Sequence, residues 1–114
     1  MTTSFPDLPT LSLDAKVELW VLDLVDALEA NYASRYPDSS CPVKFETKIG
    51  KKDIKIIQVD GGVHAFVDKK TGEVYKPASW KAPAKHVRYD LRIINQRQEC
   101  LARADWAGGY LYLR

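Results

Sequence analysis

Between residues 69 and 92, seven basic residues (Lys69, Lys70, Lys76, Lys81, Lys85, Arg88 and Arg92) face only two acids, Glu73 and Asp90. Tyr75, Trp80 and Tyr89 are interleaved with them. Lysine and arginine neutralise phosphates, and aromatic faces accept stacked bases. Pro77 and Pro83 stiffen the same stretch, so its groups are held at low entropic cost. The chemistry this fits is binding of DNA or RNA. The residues expected to carry it are Lys69, Lys70, Lys76, Lys81, Lys85, Arg88, Tyr75 and Trp80. The competing reading makes Tyr75 and Trp80 core anchors and the lysines a solvated face. No RNA-binding consensus, P-loop or helix-turn-helix accompanies the segment.

Catalytic patterns are missing, and the expectation is a protein that is not an enzyme. Asp53, Asp60 and Asp68 fall at turns, where a carboxylate usually bonds its own backbone. His64 lies in a strand pattern beside Phe66 and reads as structural. His86 has no acid or nucleophile partner. Ser79 is in no G-x-S-x-G elbow. Cys41 has no basic helix start beside it to activate a thiolate. His64, His86, Cys41 and Cys100 are not at zinc spacing, so no metal and no cofactor is expected. The two cysteines read as reduced thiols of a cytosolic protein, with a single disulfide left open. Asp105-Trp106-Ala107-Gly108-Gly109-Tyr110 is a second distinctive cluster, read as a turn whose aromatics pack on the sheet.

Charge is divided along the chain. Residues 1–40 hold two bases and seven acids, a balance of −5, whereas residues 41–114 hold 15 bases and 8 acids, a balance of +7. That asymmetry points to an anionic partner for the second part, or to acid-to-base contact between copies. With 114 residues the chain is expected to be a single domain, 1–114. It shows no apolar run of membrane length and no basic, apolar leader, so a cytoplasmic protein without a membrane partner is expected.

The elements that must position these residues are read from periodicity. Residues 1–11, with Pro6 and Pro9, form an irregular arm. Ser12 is a helix N-cap, and Leu13, Val17, Trp20, Val21, Leu24, Leu28 and Tyr32 make one stripe of a helix over 13–32. Leu19 and Leu22 lie off that stripe; either a second packed element of the same domain, the first expectation, or another subunit covers them. Residues 43–49, 54–59, 63–67 and 73–76 read as four antiparallel strands with short turns. The strap from Lys76 to Arg88 is expected to be extended and pinned by Trp80 and Val87. Helical spacing returns over 90–104 through Leu91, Ile94, Gln98 and Leu101. Gly108-Gly109 then introduces a last strand, 109–113, that pairs back onto the sheet. The fold class is therefore α+β: an N-terminal helix, a bent antiparallel sheet or small five-stranded barrel, and a second short helix before the last strand.

The run from Val63 to Leu91, including His64-Ala65-Phe66-Val67-Asp68-Lys69-Lys70-Thr71-Gly72-Glu73-Val74-Tyr75-Lys76-Pro77-Ala78-Ser79-Trp80-Lys81, resembles small uncharacterised proteins of marine tailed bacteriophages. So does Ala104-Asp105-Trp106-Ala107-Gly108-Gly109-Tyr110. That resemblance implies a phage accessory protein acting in the cytoplasm of a bacterial host. The order of elements is similar to the Sm-like fold, which implies a bent barrel, closure by the last strand, and oligomers. The aspartate–aromatic–asparagine cluster and the arginine–glycine pair of Sm RNA sites are absent here, and residues 77–106 form a long insertion. Two functions remain in play: nucleic-acid binding, and a homo-oligomeric assembly or host-interaction module that uses the acidic helix and the strand 109–113.

Overall fold

In the computed structural model, residues 12–40 and 42–112 are described. The expected arm 1–11 and Cys41 lie outside them. Helix α1, Leu13–Arg35, starts where the Ser12 hydroxyl accepts the Ala15 N–H at 3.2 Å. Asp14 in the first turn and Arg35 in the last complement the helix dipole. Val17, Val21, Leu24, Val25 and Leu28 are buried, at the three- and four-residue spacing of one helical face. Leu19 and Leu22 are each 51% exposed. The expectation that another element of the domain covers them is thus wrong among the described residues.

Five antiparallel strands form one open sheet in chain order: β1 Phe45–Ile49, β2 Asp53–Gln58, β3 Val63–Asp68, β4 Glu73–Tyr75 and β5 Tyr89–Asp90. The first four match the alternation read from sequence within one or two residues. Residues directly opposite in a ladder share a face. Ile54 and Val67, Ile56 and Ala65, and Val74 and Tyr89 are such pairs. They join the α1 residues, Leu91 and Cys100 in the main core. Lys48, Lys55, Phe66 and Tyr75 follow one another across the opposite face. Phe66 is 1% exposed yet stands outside the main core. The sheet therefore buries something on both sides.

Helix α2 is Ile94–Arg103, shorter than expected. Asp90 and Leu91 precede it because Asp90 pairs with Glu73 in the sheet. The Asp90 carboxylate also accepts from the Arg92 backbone N–H and guanidinium. The buried side chain of α2 is Cys100, whereas Ile94 is 59% exposed. The expected stripe through Ile94 was therefore misplaced.

Of the expected closing strand 109–113, residues 109–112 form no strand. Gly109–Leu111 is a 3₁₀ turn, and Leu113 lies outside the described residues. The cause is Asp105. Its carboxylate accepts N–H groups of Ala107, Gly109 and Tyr110 at 3.0, 3.2 and 3.0 Å, and Gly108 takes φ +85°. A side chain that collects backbone donors competes directly with a strand ladder. β5 supplies the fifth strand instead.

Candidate functional site

The strap is not extended. Ala78 and Ser79 donate to the Ala82 carbonyl, Ala84 donates to Lys76, and Pro77 bridges Pro83. The segment folds back on itself with Trp80 and Lys81 at its tip. Trp80 and Val87 are exposed, so neither is buried as an anchor. The pin is Arg88. Its Nε donates to the Leu111 carbonyl at 2.6 Å, and its Nη1 donates to the carbonyls of His86 and Lys85 at 2.6 and 3.1 Å. His86 adopts φ +73° in the turn that results.

The strap tip meets the β1–β2 hairpin. Lys48, Lys51, Lys52, Lys55 and Lys81 line one open cavity of about 230 Å³, together with Gly50, Asp53 and Phe66. Lys48 and Lys55 are directly opposed across the ladder, which costs a few tenths of a kcal/mol to about 1 kcal/mol. The aromatic rings offset this. The Lys55 ammonium lies 4.4 Å from the Trp80 ring centre and 5.8 Å from that of Phe66. Asp53 is the one acid of the lining. Burial raises its carboxyl above the ordinary value, with Lys52 opposing and Asp68 adding to the rise. Four lysines of one hairpin and a fifth from the strap line this cavity, a composition suited to phosphate oxygens.

The residues singled out from sequence are divided among several places. Lys81 lines this cavity, whereas Trp80 adjoins it through the Lys55 ammonium and is 51% exposed rather than a core anchor. Lys69 reaches the same hairpin, donating to the Gly50 carbonyl at 2.9 Å. Lys70 is exposed at the β3–β4 turn, where its backbone N–H bonds Asp68. Tyr75 is half-buried, and its hydroxyl donates to Glu73 at 3.3 Å. Burial and the nearby Glu73 push that hydroxyl's pKa upward. Lys85 is exposed on the far leg of the strap, and Arg88 is an internal clamp. Lys48, Lys51, Lys52 and Lys55 were missed. Their signal was present: a lysine in each of two adjacent strands, at equal distance from a tight turn, must share a face.

Lys76 belongs to a different cavity, of about 300 Å³, lined among others by Gln58, His64, Trp106, Gly108 and Tyr112. The Lys76 ammonium lies 4.9 Å from the Tyr112 ring centre. His64 is 8% exposed, with Nε2 at 2.8 Å from the Tyr110 hydroxyl and its ring between Phe45 and Tyr110. Burial lowers its pKa to about 4 although Asp105 opposes this, so the ring is neutral near pH 7. Between the two cavities lies a shallow depression lined by Gly62, Val63, Pro77, Ala78, Ser79 and Trp80.

The acids of the sheet have other tasks. Asp53 and Asp68 are opposed across β2–β3, as are Glu73 and Asp90 across β4–β5. Asp68 caps its turn through the Lys70 and Thr71 N–H groups, and Asp90 holds Arg92 in an ion pair at 2.8 Å. Among the described residues, no group of three or more His, Cys, Asp or Glu side chains is arranged to hold a metal ion. Cys100 is buried, and burial raises its thiol to about 12, which leaves no thiolate for chemistry. No helix among the described residues is long and apolar enough to cross a membrane.

No curated protein and no solved structure matches the chain. A family model does, over residues 10–113, nearly the whole length. The chain belongs to that family, described as a family of unknown function (DUF7717).

Proposed function

We propose that this protein binds nucleic acid through the lysine-lined cavity between the β1–β2 hairpin and the strap tip. The observation that carries this reading is one cavity lined by Lys48, Lys51, Lys52, Lys55 and Lys81, with the exposed ring of Trp80 against the Lys55 ammonium. The lysines meet phosphates and Trp80 stacks a base. Lys69 adds charge at the hairpin, whereas Lys85 and Arg88 stand outside the cavity. The role is that of an accessory protein without catalytic activity, and the resemblance to proteins of tailed phages supports placing it in the infected bacterial cytoplasm. Salt titration of binding to a fluorescent oligonucleotide tests the reading. Five neutralised phosphates give a log–log slope of about −3.5 on a single strand, a loss of about a hundredfold between about 50 and 200 mM salt.

A second reading, self-assembly, has its own supporting observation. Leu22 and Ile49 are about half exposed and border a groove of about 150 Å³ between α1 and the edge strand β1. An apolar groove beside an unpaired strand edge is a natural contact between copies. Light scattering of the wild type and of Leu22→Asp distinguishes this reading. Oligomers that the substitution dissolves support it, and a wild-type monomer at high concentration removes it.

A further inference from the structure

The three depressions on the strap side adjoin one another. Gly62, Val63 and Pro77 line both the His64 cavity and the shallow depression, and Trp80 of that depression lies under the Lys55 ammonium of the lysine cavity. The two ends of this band differ in chemistry. One end is a cluster of like charges. The other offers a single cation, Lys76, with two aromatic rings and several neutral hydrogen-bonding groups.

Two of those groups have side-chain polar atoms without a hydrogen bond among the described residues. Nδ1 of the buried His64 has no hydrogen bond among the described residues, its Nε2 being held by Tyr110. The Gln58 side-chain amide likewise has none. A Cβ on Gly108 would stand 3.6 Å from His64 Cε1 and 3.9 Å from Nδ1, so the missing side chain leaves that edge of the ring open to the cavity. Tyr112 is exposed, and Trp106 is braced edge-on against Tyr32 at 5.1 Å. A planar heterocycle with a hydrogen-bonding edge and one attached phosphate matches this set: rings for its faces, Gln58 and His64 for its edge, Lys76 for its charge. A base inside a duplex cannot reach such a cavity without leaving its stack.

We infer that the His64 cavity receives one unstacked nucleobase of a single strand, with the adjoining phosphate on Lys76 and the rest of the strand passing Trp80 to the lysine cavity. This rests on the nucleic-acid reading above and specifies its ligand as single-stranded. Discrimination among bases comes from the hydrogen-bonding edge, and strand affinity from the lysines.

The test has two arms. In the first, nuclear magnetic resonance follows backbone amides during titration with nucleoside 5′-monophosphates and, separately, ribose 5-phosphate. Saturable shifts at Trp106 and Gly108 are expected with at least one nucleotide and not with the sugar phosphate. In the second, anisotropy compares single-stranded and duplex DNA and RNA of equal length. Single strands are expected to bind at least about tenfold tighter, and Gln58→Ala or Tyr112→Ala to weaken them about tenfold at unchanged melting temperature. Equal shifts with ribose 5-phosphate, no shifts at all, or equal affinity for duplex overturn the inference while salt-sensitive binding preserves the lysine reading. If no oligonucleotide binds at low salt, the lysine reading fails and the single-strand inference falls with it.

Discussion

The Lys55 ammonium lies 4.4 Å from the centre of the Trp80 ring, joining the middle of β2 to the tip of the strap. The contact places a residue of the basic hairpin against an aromatic ring 25 positions further along the chain. It also leaves Trp80 half exposed, so the ring remains available to a ligand.

Trp80→Ala should therefore weaken oligonucleotide binding far more than it weakens the fold. Loss of one stacked base costs about 1–3 kcal/mol, and an exposed cation–π pair contributes about 0.5–1 kcal/mol to stability. Anisotropy and thermal unfolding on the same preparation check this. A melting temperature that collapses with binding intact would make Trp80 a structural anchor after all.

Arg88→Ala should do the reverse. Its guanidinium ties the strap to the 3₁₀ turn through Leu111 and holds the carbonyls of His86 and Lys85. Hydrogen bonds from a charged donor contribute about 1.5–3 kcal/mol. Urea unfolding should show a loss in that range, while Lys85→Ala, an exposed position, should show almost none.

His64 imposes a pH dependence on stability. Its pKa in the folded state is about 4, below the ordinary value of 6.5, so the unfolded chain takes up the proton first. Its contribution is full above about pH 6.5 and is lost as pH falls from there through about 4. The loss amounts to about 3 kcal/mol when complete. Urea unfolding across this window should show the decline, and His64→Gln should flatten it relative to the wild type.

Asp105→Ala should unfasten the turn that replaces the closing strand. Three backbone N–H groups lose their acceptor, those of Ala107, Gly109 and Tyr110. A destabilisation of about 1–3 kcal/mol is expected, with accelerated amide exchange at Gly109 and Tyr110. Asp105→Asn keeps one acceptor oxygen and should retain part of the protection.

Much of the fold was legible because its signals are local. Ser12 caps the helix its hydroxyl faces, and Val17 to Leu28 repeat at helical spacing. The alternation of β1 to β4 and their short turns specify a meander. What escaped was non-local. Strand β5 is two residues long, Tyr89–Asp90, too short for any period to show. The turn at Gly109 is set by a carboxylate four residues earlier, where glycines and aromatics resemble a strand entry. The candidate site was half legible for the same reason. Lys81 and Trp80 stand out within the charge run 69–92, but neighbours along that run are not neighbours in space. The remaining lysines come from the hairpin opposite, and Arg88 turned inward to satisfy carbonyls.

The most direct measurement is the salt dependence of oligonucleotide binding for the wild type and for the Lys48→Ala/Lys52→Ala/Lys81→Ala triple variant. The wild type should bind at low salt with a log–log slope of about −3.5 on a single strand, and the variant should lose about 2 from that slope while melting normally. A wild type that ignores DNA and RNA at low salt, or a variant with an unchanged slope, would contradict the lysine cavity as the binding surface.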